Sequence, residues 1–102
     1  MLDLTDKQLS AITSILGKLV PDCEVRAYGS RTNGNGHAGS DLDLVIVGKD
    51  KIPWQLMAKL KAAFEDSNLP FSVDVLDWNS IPDNFKENIR KNYEVIQKGT
   101  EK

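Results

Sequence analysis

Two aspartates one residue apart open the segment Ser40-Asp41-Leu42-Asp43-Leu44-Val45-Ile46-Val47. In an extended chain, side chains alternate between faces. Leu42, Leu44 and Ile46 then enter a core, and Asp41 and Asp43 leave together from the opposite face. Carboxylates that face the same way repel each other, and desolvation adds to the cost. A divalent cation between them removes the conflict, and hard oxygen donors suit Mg²⁺ or Mn²⁺. A pair of solvated acids on an exposed strand face is the competing explanation. It has to place two aspartates in a strand, where aspartate is disfavoured.

Upstream, Val25-Arg26-Ala27-Tyr28-Gly29-Ser30-Arg31 reads as a strand running into a tight turn. Gly29 has no Cβ, so a phosphate can come close to the backbone. Ser30 adds a hydroxyl donor, and successive N–H groups in such a turn form an anion-binding concavity. Arg31 either adds positive charge there or serves as a surface arginine. Asp74 lies on a later strand, on the face opposite Phe71, Val73 and Val75. If that strand lies beside the one bearing Asp43, three carboxylates share a face. They can hold two cations ~4 Å apart, the clamp used in phosphoryl and nucleotidyl transfer. Asp74 could also accept a proton from an attacking hydroxyl. Taken alone, Gly-Ser is an ordinary turn and Asp74 an ordinary solvated acid.

The elements that must position these groups can be read from the pattern. Thr5 to Gln8 matches a capping box, and Leu9, Ile12, Ile15, Leu16 and Leu19 follow at helical spacing, ending near residues 17–21. Residues 23–28 form a first strand, 29–39 a glycine- and asparagine-rich loop, and 41–47 a second strand. Pro53 suits the first turn of a second helix with Leu56, Met57, Leu60, Ala63 and Phe64 on its apolar face, ending at 68–70. Residues 71–76 alternate as a third strand. Ser80 caps a third helix with Pro82 in its first turn and Ile81, Phe85, Ile89 and Tyr93 along one side. Val95 and Ile96 add a short edge strand. The order α-β-β-α-β-α predicts an α/β fold, a small mixed sheet with helices packed on it.

The 102 residues suffice for one domain spanning 1–102. At 40% apolar and 27% charged residues, a packed core is feasible and a disordered chain is excluded. A formal charge of −2 disfavours a dedicated module for long nucleic acid, which needs a basic excess, and leaves room for a small phosphate ligand. One cysteine, Cys23, permits no internal disulfide and fits a reducing compartment as a small buried residue. No apolar run reaches the ~20 residues of a membrane span, and the start Met1-Leu2-Asp3-Leu4-Thr5-Asp6 lacks signal-peptide regions. A cytoplasmic protein is expected.

Gly29-Ser30, ten residues, then Asp41-Leu42-Asp43, with Asp74 on a later strand after a helix, resembles the DNA polymerase β-like nucleotidyltransferase superfamily. Within it the chain is similar to the minimal nucleotidyltransferase (MNT) group, from the leading helix through Val73-Asp74-Val75-Leu76-Asp77-Trp78 to Asn88-Ile89-Arg90. The resemblance implies a nucleotidyltransferase fold in which Gly29, Ser30 and Arg31 hold a triphosphate. It also implies that Asp41 and Asp43 bind two Mg²⁺ or Mn²⁺ ions and that Asp74 completes the site. AMP from ATP would move to a hydroxyl with loss of pyrophosphate. Larger members carry a further helical domain, which is not expected in this chain. MNT proteins are typically paired with a helical HEPN protein, so the resemblance implies an antitoxin that adds AMP to a tyrosine of a HEPN partner. Two alternatives stay open: an antitoxin that neutralises its partner by contact, with weak or vestigial chemistry, and a nucleotide-binding regulator without turnover.

The remaining candidates read more plainly. His37 is a loop residue, with no second His or Cys nearby to make a zinc site. Trp54 and Trp78 could stack a base, with core or edge packing the simpler role. Asp77 follows Asp74 by three residues, faces away on a regular strand and is structural. Tyr28 flanks the phosphate turn as a core side chain. Lys86, Arg90, Lys91 and Lys98 form a solvated basic face open to a partner contact.

Overall fold

The computed structural model describes residues 4–29 and 41–99. Ser30, Arg31 and His37 therefore lie outside the described residues. The elements run α1 (Asp6–Leu19), β1 (Glu24–Tyr28), β2 (Leu42–Val47), α2 (Trp54–Asp66), β3 (Val73–Asp77), a 3₁₀ turn (Trp78–Ser80), α3 (Asp83–Lys91) and β4 (Tyr93–Gln97).

Helix α1 begins where the capping box requires. The Thr5 hydroxyl accepts from the Gln8 N–H at 3.1 Å, and the Gln8 side chain accepts from the Thr5 N–H at 3.0 Å. A cap of this kind contributes about 1 kcal/mol. Four residues apart, Ile12 and Leu16 present one buried face. Helix α2 opens at Pro53, which occupies the N-cap, and buries Leu60 and Phe64.

The four strands order as β3-β2-β1-β4. β1 pairs antiparallel with β2 and with β4, while β2 pairs parallel with β3. A parallel neighbour needs a crossover, and α2 supplies it. The apolar side of the sheet, with Val25, Ala27, Leu42, Leu44, Ile46 and Val75, forms one core with Ile12, Leu16, Leu60 and Phe64 from α1 and α2. Val45 and Ile89 are also buried, but outside that core. Val45 shares the face of Asp43, and the ring of Phe85 on α3 meets Tyr28 edge-on at 5.8 Å. Helix α3 therefore lies on the face that carries the acids.

Several sequence expectations shift. Tyr93 opens β4 instead of closing α3, because the helix stops at Lys91 and Asn92 is already extended. Ser80 does not cap α3: Pro82 takes that position, and the Ser80 hydroxyl instead donates to Asp77. Trp54 is packed neither in the core nor at an edge; it is 75% exposed. The edge strand around Val95 and Ile96 is present and pairs with β1. Among the described residues no helix is long and apolar enough to cross a membrane.

Candidate active site

Strand register assembles the site. Asp43 lies opposite Tyr28 across the β1–β2 ladder, and Asp74 lies beside Asp43 across β2–β3. Tyr93 flanks Tyr28 on the far side. A single row, Tyr93–Tyr28–Asp43–Asp74, thus crosses all four strands. Neighbours in such a row stand ~5 Å apart on one face of the sheet. The condition set by the sequence, that the strand of Asp74 lie next to that of Asp43, is met.

Gly29 ends β1 with φ +87°, a left-handed conformation that favours glycine. Space imposes a second requirement: a Cβ at Gly29 would come within 2.5 Å of Asp43 Oδ2. The bare Cα lets the carboxylate pack against the turn, so the predicted phosphate turn and the predicted acid are in contact.

Electrostatics marks the same group. The Asp43 carboxyl is raised above its ordinary value, first by burial, then by the charges of Asp74 and Asp41. Tyr28 is pushed up to about 12 by burial, then by Asp43 and Asp74. Asp43 therefore feels both of the other aspartates named from the sequence. Among the described residues no lysine or arginine forms an ion pair with any of them. Such a face favours a cation. Donor type and facing suit Mg²⁺ or Mn²⁺. The described residues contain no group of three acidic, thiol or imidazole side chains gathered tightly enough to hold a metal ion.

Asp77 is structural, as its strand parity indicated. It is 6% exposed, and its carboxylate accepts from the N–H groups of Ile52 at 2.8 Å and Asn79 at 3.0 Å and from the Ser80 hydroxyl. Cys23 is partly buried against the core, and its thiol is pushed up by burial and by the charges of Asp22 and Asp77.

Sequence reasoning missed two residues. Tyr28 belongs to the acid face and not to the main core; its parity with Arg26 was the available signal. Arg26 was not singled out at all. Its guanidinium lies 5.0 Å from the Trp78 ring centroid and 4.6 Å from that of Tyr93, and it pairs with Glu24. Lys86 and Arg90 also approach the Trp78 ring, at 5.6 and 5.2 Å. Trp78 thus packs against cations of its own chain.

A nucleotidyltransferase is the class that this fold and face define, and comparison with known proteins agrees. The family model described as "Polymerase beta, Nucleotidyltransferase" matches residues 22–102, and the chain belongs to that family. It is 44% identical over 96 residues to "Probable protein adenylyltransferase MntA" of Haemophilus influenzae, spanning 94% of this chain and 84% of that protein. Solved toxin–antitoxin structures share the fold. One, determined with AMP-PNP, superposes with a TM-score of 0.68 at 21% identity over 90% of this chain and 74% of that one. Another holds a tri-AMPylated Shewanella oneidensis HEPN toxin with its MNT antitoxin, at a TM-score of 0.61 and 18% identity over 88% and 69% of the two chains.

Proposed function

We propose that this single-domain protein is an adenylyltransferase antitoxin of the cytoplasm that moves AMP from ATP to a tyrosine hydroxyl of a HEPN-type partner. The observation that carries the reading is the contact of Gly29 with Asp43 and the register of Asp43 with Asp74. It joins a phosphate turn to a carboxylate pair on one face. The 44% identity to the Haemophilus adenylyltransferase supports AMP as the transferred group, and the AMPylated toxin complex supports a HEPN protein as acceptor.

In this reading the turn at Gly29, with Ser30 and Arg31, holds the triphosphate. Asp41, Asp43 and Asp74, which are not gathered tightly enough without a metal ion, would draw together to hold two Mg²⁺ or Mn²⁺ ions, which when bound offset the charge gathered on the phosphates. Asp74, half of the pair and exposed to solvent, takes the proton of the acceptor hydroxyl. The acceptor oxygen bonds to the α-phosphorus, the bond to the bridging oxygen breaks, and pyrophosphate leaves. Tyr28 keeps its proton at neutral pH, so it faces the site as a donor and adds no further negative charge.

The test is to incubate the chain, Mg²⁺ and the purified product of the adjacent gene with ATP labelled at the α-phosphate. Label is expected on a tyrosine of that product, and is expected to vanish with Asp43→Ala or Asp74→Ala. A wild-type chain that transfers no label yet still neutralises the product would replace catalysis with neutralisation by contact.

A further inference from the structure

Helices α1 and α2 cover the core side of the sheet, opposite the face that carries Asp43 and Asp74. Their outer surface is not closed. A hollow of about 670 Å³ lies between α1 and the segment leading from α2 to β3, and another of about 330 Å³ lies between α1 and α2. Ile15 lines both, so they form one groove along α1. From Lys7 to Leu19 the groove follows the helix for roughly 18 Å at 1.5 Å per residue. Ile12 and Leu16 enter the core, whereas Ile15 and Leu19 are only partly buried and leave apolar surface outside. Ala11 and Ala63 on the facing walls are too short to fill the space between them.

The rim is basic. Lys7, Lys18 and Lys59 are exposed on its walls, and no aspartate or glutamate lines it. Among the described residues none of the three lysines forms an ion pair. This concentration of positive charge sits on a chain of net charge −2. The combination restricts the occupant. A long apolar floor between two helices takes a third helix, anchored by apolar residues at i, i+4 and i+7. Charge complementarity requires acidic flanks on that helix. A second copy of this chain, docked by a twofold contact of the same patch, would set the three lysines against themselves. A phosphate backbone would meet the lysines and leave the apolar floor unmatched.

We propose that this groove docks an acidic amphipathic helix of the HEPN-type partner. This rests on the antitoxin reading above and adds where the partner is held and by what chemistry. The groove and the carboxylates lie on opposite faces of the sheet, so a docked helix leaves the nucleotide site open. Holding the partner and modifying it are then separable functions of one small domain.

The full chain should be mixed with the purified product of the adjacent gene, the affinity measured by calorimetry and the contact mapped by hydrogen–deuterium exchange. Exchange is expected to slow over residues 11–19 and 59–63. The double variant Lys18→Glu with Lys59→Glu, both at exposed positions, should weaken the complex at least ~10-fold, with Tm and AMP-PNP affinity as in the wild type. Ala11→Trp, which fills the groove without changing charge, should weaken it as well. Lysines introduced in place of acids on the partner helix should restore binding to the double variant. Slowed exchange confined to α3, β3 and β4 would overturn the proposal. So would wild-type affinity in both groove variants, or a double variant that loses only binding to single-stranded RNA or self-association. If the wild-type chain labels no tyrosine while the groove variants still lose the complex, the catalytic reading falls and the docking surface stands. If label is transferred and the complex ignores the groove variants, the docking surface falls and the catalytic reading stands.

Discussion

Gly29 and Asp43 are in contact across the β1–β2 ladder, with no room between them for a methyl group: a Cβ at Gly29 would meet Asp43 Oδ2 at 2.5 Å. The turn proposed to receive phosphate and the carboxylate proposed to face the cation are one mechanical unit. Gly29→Ala would strain a φ of +87° and push the carboxylate aside. We expect it to lower stability by roughly 1–3 kcal/mol and to weaken AMP-PNP binding beyond what that loss explains. Urea unfolding and calorimetry on the same preparation separate the two. An alanine variant that binds nucleotide as tightly as wild type would show that the contact is incidental.

Asp43 also makes the metal-free fold pH-sensitive. Its carboxyl is raised above the ordinary value by burial, then by Asp74 and Asp41, and unfolding removes all three causes. Between the ordinary and the raised value the folded state holds the extra proton. Stability of the metal-free protein therefore falls as pH rises through that interval and stays lower at neutral pH. Asp43→Asn should raise the Tm at pH 7 in EDTA only modestly, since the group is partly solvated. The difference should close towards acid pH. With Mg²⁺ and ATP the order should reverse, and transfer should fall by more than the ~10–100-fold typical of a group behind a metal ligand. A lower Tm for the variant in EDTA at pH 7 would contradict the assignment.

The sequence carried the fold class and the facing of the acids, but not every element boundary. Alternation in residues 41–47 puts Leu42, Leu44 and Ile46 inside and Asp43 outside because side-chain parity is a local property. The pairing of Asp43 with Asp74 was conditional, since which strands are neighbours depends on α2 carrying the chain to the parallel position. Tyr93 was misread because helical spacing continued past Lys91, while pairing of β4 with β1 won the residue for the sheet. Trp54 was misread because composition does not say which aromatic lies at an unburied helix start. Arg26 escaped notice because its partners, Trp78 and Tyr93, are dozens of residues away in sequence and meet it only through the sheet.

Asp77 ties the end of β3 to the entry of α2 through Ile52 and to the following turn through Asn79 and Ser80. Asp77→Ala would leave the buried Ile52 N–H without an acceptor and open the 3₁₀ turn that leads to α3. Hydrogen bonds to a charged group contribute ~1.5–3 kcal/mol each, and an orphaned buried donor costs ~1–3 kcal/mol. Allowing for relaxation, a loss of roughly 2–4 kcal/mol is expected in urea unfolding. Asp77→Asn should recover part of it, since one carbonyl oxygen still accepts. A loss below about 0.5 kcal/mol, the range of ordinary surface changes, would mean that the two connections hold without it.

Arg26 fastens the acid face from a neighbouring row on that same face. Between Trp78 and Tyr93, and paired with Glu24, it links the residue after β3 to β4 through β1. It also occupies the row next to Tyr28 and Asp43. Cation–π contacts contribute ~0.5–1 kcal/mol each at partly exposed sites, so Arg26→Leu should cost roughly 1–2 kcal/mol. Lysine keeps the charge but not the flat guanidinium that two rings can stack on. Arg26→Lys should therefore recover less than half of the loss. The lost stacking should also change Trp78 fluorescence in both variants, a signal that a simple loss of charge at Glu24 would not give. If lysine restores full stability, the ion pair is the fastening and the aromatic sandwich is not.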